Sequence, residues 1–220
     1  MRRGNRVFQK DSRMKTSALV LTLCAVVAIS SSCLWAADKP LDFSGQDLPG
    51  RDFSKQSLVK ANFEDAVLKD TNFKEALVTG ANFQGADLTD VYFKGADLTG
   101  ADFRGATLTI QTRFYLATLN EANLEKADLS LVRLSDVKLR KANLKKLKGI
   151  GTVENCDFSE ADLRGANLVG MTIDNASRFR KAKYDSQTRW PKGFDVAASG
   201  AILVEDAEED AEVKPQPAPG

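Results

Sequence analysis

The chain of 220 residues carries 31 Lys and Arg against 30 Asp and Glu, with no histidine and only three cysteines. Without imidazole there is no His general base, no His-containing triad and no His-ligated zinc or haem, and three thiols are too few for a disulfide-dense scaffold or a four-thiolate metal site. A formal net charge of +1 supplies no global attraction for nucleic acid, and a 43% apolar composition at this length suits one domain of moderate size.

Residues 1–15 set Arg2, Arg3, Arg6, Lys10, Arg13 and Lys15 against Asp11 alone, and an apolar run follows from Thr16 to Ile29. A basic start, about 14 apolar residues and the small-residue exit Ser30–Ala37 have the layout of a secretory signal over 1–37. The run is short for a membrane span, which needs roughly 17–25 residues, so cleavage between Ser32 and Asp38 is the expectation. Cys33 offers lipid attachment as the alternative, the one route by which this chain would sit on a membrane; Ser30 stands where an aliphatic residue is usual for it. Export places the mature protein in the periplasm or outside the cell, or in the thylakoid lumen if the source is photosynthetic.

From Phe43 a bulky apolar residue returns every five positions through Leu48, Phe53, Leu58 and onward to Phe103 and Leu108, fourteen times in phase. A small residue, mostly Ala, stands two before each, with Asp or Asn between them, and Gly often stands two after. The phase slips by one before Phe114, runs on through Leu119 to Leu144, is broken by the basic stretch 145–151, resumes at Val153 and ends on Phe179 and Tyr184. A period of five fits neither a helix at 3.6 nor a strand at 2.0. It fits a chain that turns a corner every fifth residue, so that four corners close a square coil of about twenty residues and coils stack at ~4.8 Å. The 28 units make about seven coils, a rod of roughly 34 Å at that spacing. Bulky and small residues point inward, and Gly, Asn and Asp suit the turns.

Stretches such as Ala81-Asn82-Phe83-Gln84-Gly85-Ala86-Asp87-Leu88 and Ala161-Asp162-Leu163-Arg164-Gly165-Ala166-Asn167-Leu168 carry a likeness. The pattern resembles the pentapeptide-repeat family, with its consensus Ala-Asp/Asn-Leu-x-x, over about residues 41–185. The resemblance implies an all-β fold, a right-handed quadrilateral β-helix solenoid with a C-terminal cap, spanning 38–185. Phe recurs every ten residues, half a coil, so Phe43, Phe63, Phe83 and Phe103 should stack in one column and Phe53, Phe73 and Phe93 in the opposite one. The slip before Phe114 keeps this alternation and reads as a corner bulge. Residues 186–204, with Trp190, Pro191 and Phe194, read as a lid over the exposed end of the solenoid. Residues 205–220 (EDAEEDAEVKPQPAPG) read as a disordered acidic, Pro-rich tail.

No pattern for chemistry emerges. A convex rod offers no cleft for paired carboxylates, no Gly-rich phosphate loop or Cys-x-x-Cys pair is present, and Cys156 takes an inward small-residue slot. Neither a catalytic nor a cofactor or metal site is therefore expected. The binding candidate is a basic face of Arg133, Lys138, Arg140, Lys141, Lys145, Lys146 and Lys148, net +6 over 131–148 with Asp136. Stacking is expected to gather these bases on adjacent outer faces, with 145–151 protruding, to meet an unknown protein or an anionic envelope component. The expectation is an exported, non-catalytic scaffold or protein-interaction module, monomeric or paired end to end. The family resemblance also implies an alternative, a DNA-mimicking topoisomerase-binding protein of the quinolone-protection type; the leader and the basic half argue against it. Loss of 1–37 turns the net charge to −4, segregated as −5 over 38–130, +6 over 131–204 and −5 over the tail.

Overall fold

The computed structural model describes residues 39–205. The leader expected over 1–37, Cys33 within it, and the tail beyond Glu205 lie outside the described residues. The chain from Pro40 winds as a right-handed quadrilateral β-helix whose four faces are parallel bridge ladders between successive coils. Face A runs through Asp42, Asn62, Asn82, Asp102, Asn123, Asn143, Asp162 and Lys183. Face B begins with Asp47, Val67, Asp87 and Thr107, face C with Asp52, Asn72, Tyr92 and Arg113, and face D with Ser57, Leu77, Asp97 and Thr118. On each face the backbone bonds in both directions: the Phe43 amide donates to the Asn62 carbonyl at 2.7 Å, and the Asn62 amide to that of Leu41 at 2.8 Å.

The interior is what the five-residue period demands. All ten in-phase phenylalanines are buried, as are most of the Ala residues two before the bulky positions. Face A stacks Phe43, Phe63, Phe83 and Phe103 at centroid separations of 4.9 to 5.2 Å, and face C stacks Phe53, Phe73, Phe93 and Phe114 at 5.1 to 5.2 Å. The two columns meet edge to face across the lumen, as Phe73 meets Phe83 at 5.8 Å and 88°. Stacking along the axis and T-contacts across it are both favourable ring geometries. Phe114 lies over Phe93, so the slip before it is absorbed without losing the column.

Regular corners close with the amide three residues on donating back to the bulky residue's carbonyl, as Ala66 does to Phe63 at 3.1 Å. The residue before that amide sits at φ near +60°, taken by Gly85 (+66°) but equally by Lys55 (+59°), Glu75 (+57°) and Leu116 (+60°). A side chain there costs about 1–2 kcal/mol, so the ladder imposes the corner even where the local residue resists it. Asp and Asn mostly sit elsewhere, one before the bulky residue, where the side chain accepts from the amide two ahead: Asp52 from Ser54 at 2.9 Å, Asp97 from Thr99 at 3.0 Å. Amides of Asn62, Asn82, Asn72 and Asn143 also donate to the Asp or Asn one coil below at 3.0 to 3.2 Å.

These turn carboxylates tie stability to pH. The Ser130 hydroxyl and amide hold Asp128 below its ordinary value of 3.8. At Asp87, Asp157 and Asp162 burial pushes upward, but donors from Thr89, Ser159 and Arg164 outweigh it and the net direction is down. A depressed folded value means the contribution is fully present above the unfolded value and disappears as pH falls through the folded one. Urea midpoints are therefore expected to be flat from neutral pH to about 5 and to fall steeply below about 4. Midpoints unchanged down to pH 3 would show that the turn carboxylates contribute nothing.

The basic stretch 145–151 does not protrude. Lys145 and Lys146 form an ordinary corner, and Leu147 and Ile150 are buried. Strand β2 (Gly149–Glu154) lies in the wall, paired in parallel with β1 (Asp128–Ser135) and β3 (Thr172–Ile173). Ile150, in register with Leu129, supplies the inward bulky residue that the broken period concealed. Coil pairing also runs past 185: Arg189 bridges Asn167, and β5 (Ile202–Leu203) pairs with β4 (Lys183–Tyr184). Between them the lid closes the end of the lumen. Trp190 stacks on Phe194 at 4.9 Å, and both stand edge-on to Phe179 at 5.7 and 5.3 Å. A single helical turn, α1 (Val196–Ser199), follows; the Asp195 carboxylate caps it by accepting from the Ala198 amide at 2.9 Å, and Gly200 ends it.

Candidate functional site: a groove at the irregular corner

The corner between faces B and C is regular three times, at Gly50, Asp70 and Asp90, all at positive φ. It then departs from the pattern in three successive coils. In the first, the extra residue before Phe114 forms a loop closed by Thr112, whose hydroxyl donates to the Leu88 carbonyl at 2.9 Å and accepts from the Thr109 amide at 3.0 Å. Thr112 is thereby buried in the small-residue slot and Ile110 is pushed outward, 68% exposed. In the second, β1 bulges between Leu129 and Arg133, and Leu131 is left 66% exposed. In the third, the chain cuts the corner from Ile150 to Val153 through Gly151. A Cβ at Gly151 would stand 2.6 Å from the Val132 carbonyl oxygen, so only glycine permits that path.

Together these corners open a groove of about 730 Å³ along face C. Its apolar edge is Ile110 and Leu131, and its floor holds Tyr92, Arg113 and Arg133 from one outer column and Tyr115 from the next. The Arg113 guanidinium lies over the Tyr92 ring at 5.8 Å, and the Lys94 ammonium over the Tyr115 ring at 5.4 Å. Such contacts hold long cationic side chains in place at an exposed site for ~0.5–1 kcal/mol each. Three cations, two aromatic rings and two bare aliphatic side chains thus share one concave surface. Sequence reasoning passed over it, although two signals were present: Tyr92 and Tyr115 occupy outward positions where polar residues are the rule, and the phase slip marks the corner beside them.

The seven bases read from the sequence do not share one face. Arg133 lines the groove on face C, Lys138 and Arg140 lie on face D, and Lys141 is at the corner of faces D and A. Lys145 is on face A, Lys146 turns the next corner, and Lys148 is on face B, where its amide donates to the Ala127 carbonyl. They lie on four faces because five-residue spacing advances a side chain one face at a time. Among them, Arg140 approaches Asp157 at 3.9 Å and Glu160 at 4.0 Å, and Lys145 approaches Asp162 at 3.6 Å. Exposed pairs of this kind are worth ~0–1 kcal/mol.

Among the described residues no group of His, Cys, Asp and Glu could hold a metal ion, and no helix is long and apolar enough to cross a membrane. Cys156 is buried, its thiol donating to the Glu154 and Leu134 carbonyls at 3.3 and 3.5 Å, and burial pushes its pKa up to about 11. A thiol kept protonated and out of solvent is a core residue, not a nucleophile.

The repeat matches a known family. The family model "Pentapeptide repeats" matches in eight copies, over residues 42–74, 52–85, 71–109, 112–146 and 152–177. Solved structures that match include HetL, described as a pentapeptide repeat protein involved in heterocyst differentiation regulation from the cyanobacterium Nostoc sp. strain PCC 7120. It is 21% identical, with 76% of this chain and 89% of that one covered and a TM-score of 0.39. QnrB1, described as a plasmid-mediated fluoroquinolone resistance protein, is 25% identical over 75% of this chain and 78% of that one, with a TM-score of 0.33. A pentapeptide repeat protein from the Arabidopsis thaliana thylakoid lumen is 30% identical over 66% and 68%, with a TM-score of 0.19. No curated protein matches the chain. With the repeat matched over more than half of its length and built into four ladders around stacked inward columns, the chain belongs to the pentapeptide-repeat family.

Proposed function

We propose that this protein is an exported, non-catalytic interaction module that presents the face C groove to an acidic segment of a partner protein. The observation that carries the reading is the pairing of extruded Ile110 and Leu131 with Arg113, Arg133 and Lys94 on one concave surface. Ile110 and Leu131 are the most exposed large apolar side chains among the described residues, and a partner with an aliphatic anchor between carboxylates would cover them and meet the cations. Burying an aliphatic side chain contributes about 1.5–3 kcal/mol, and the fixed cations add orientation and association rate more than affinity. The ladders make the surface rigid, so little ordering entropy is lost when it is engaged.

Selection of a random peptide library on the folded chain should enrich acidic peptides containing Leu, Ile or Val. Leu131→Asp or Arg113→Glu should weaken those peptides at least tenfold while leaving the urea midpoint close to wild type. Enriched peptides that bind both variants as tightly as the parent would dispose of the groove. Export rests on the pattern of residues 1–37. Mass spectrometry of the protein from fractionated cells is expected to find a mature N-terminus between Ser32 and Asp38, and an intact Met1 in the cytosol would exclude export.

A further inference from the structure

On face D, late coils and the lid enclose a second hollow, of about 1160 Å³, which shares no lining residue with the face C groove. The charges of its wall follow the coils. Lys138, Asp157 and Arg178 succeed one another in one outer column, and Arg140, Ser159 and Arg180 in the next. At the corner of faces D and A the order is Lys141, Glu160 and Lys181. Each column therefore sets a base on one coil, an acid or hydroxyl on the next and a base on the third. The two basic levels lie two coil spacings apart, ~10 Å.

The acids of this wall are engaged, whereas most of the bases are not. Asp157 accepts from the Ser159 amide at 3.0 Å, and Arg140 approaches both Asp157 and Glu160. Asp174 accepts from the Ser177 hydroxyl at 2.7 Å and the Asn155 amide at 3.0 Å. Arg178, Arg180, Lys181 and Lys192, the last reaching in from the lid, form no ion pair among the described residues. Unpaired like charges around one hollow repel one another, and anionic groups seated between them would remove that cost. The planar fork of arginine meets a carboxylate with two parallel hydrogen bonds.

We infer that this hollow binds an acidic oligosaccharide in which acidic and neutral sugars alternate. The ligand lies along the rod axis, its carboxylates on the two basic levels and the hydroxyls of the neutral sugar on the level between. There the Asp157 and Glu160 oxygens and the Ser159 hydroxyl are acceptors. A ligand charged at every step, such as a polyphosphate or a nucleic-acid backbone, would instead set an anion against Asp157 and Glu160. Phe194, which lines the hollow and stacks on Trp190 at 4.9 Å, adds an apolar contact from the lid.

Isothermal titration calorimetry of the full chain tests this with a hyaluronan tetrasaccharide, in which glucuronate and N-acetylglucosamine alternate. The tetrasaccharide should bind at least tenfold more tightly than glucuronate alone, because one sugar cannot reach both basic levels. It should exceed trigalacturonate, tetraglutamate and tripolyphosphate, all charged at every step, by a similar factor. Arg140→Gln and Arg180→Gln should each weaken it at least fivefold with the urea midpoint unchanged, while Lys94→Gln on face C should leave it at the parent value. Equal affinity for all the oligoanions, tighter binding of the peptide or the polyphosphate, no binding of the tetrasaccharide, or equal losses in Arg180→Gln and Lys94→Gln would each overturn the inference. Failure here leaves the face C groove standing, since its peptides are scored by Leu131→Asp and Arg113→Glu, which lie outside this hollow.

Discussion

Phe83→Ala is expected to be the most damaging single substitution, lowering the unfolding free energy by about 3–5 kcal/mol. Phe83 is fully buried in the middle of its column, stacked on Phe63 at 5.0 Å and Phe103 at 5.2 Å, and it meets Phe73 and Phe93 edge-on. Removing the ring leaves a cavity that cannot collapse, because the backbone on every side is tied to a coil above and a coil below. Repeat stability is a sum of coil and interface contributions, so the loss weakens the two interfaces on either side of one coil. Phe83→Leu should cost much less, since Leu already fills the same face at Leu124 and Leu144. Urea titration followed by circular dichroism reads both; an Ala variant within about 1 kcal/mol of wild type would contradict the ring column as the main cohesive element.

Gly151→Val should act on stability and on the groove together. Its Cβ would need the space of the Val132 and Ser130 carbonyl oxygens, 2.6 and 3.0 Å away, and neither belongs to a flexible side chain. Overpacking of this kind costs about 1–3 kcal/mol. Relief comes only by moving β2 away from β1, which carries Leu131 and Arg133 out of position. The variant is therefore expected to combine a reduced urea midpoint with at least tenfold weaker binding of groove-selected peptides. Gly170→Val, at the same corner one coil further, has open space around its Cβ and should alter neither by much. Equal effects of the two substitutions would argue that the corner is not a special point in the fold.

The reading of the turns from sequence shows where local rules stop. Asp and Asn mark the bridging position reliably because their side chains must accept the amide two residues on. The αL corner is less legible: Lys, Glu and Leu116 occupy it beside Gly, since two inter-coil bonds per face outweigh a local penalty of about 1–2 kcal/mol. The stretch 145–151 misled for a related reason. Ile150 is inward although it is six residues after Leu144 and three before Val153, and only its register with Leu129 reveals the slot it fills.

What the sequence determined alone is the solenoid and its contents. A corner every fifth residue forces a twenty-residue coil, and equal residues twenty apart must then stack, so the two phenylalanine columns and the aromatic lid were fixed before any coordinates. The tertiary structure decided the surface. Each irregular corner shifts the count by a residue or more, and the face on which an outer side chain lands depends on the running sum of those shifts. Hence Tyr92 and Leu131 meet Ile110 and Arg113 in one groove, whereas the seven bases of 131–148, which keep the regular spacing, step around four faces. Inward positions are set by a repeat that acts over five residues; outward neighbourhoods are set by coils packing on coils, which no window of the chain contains.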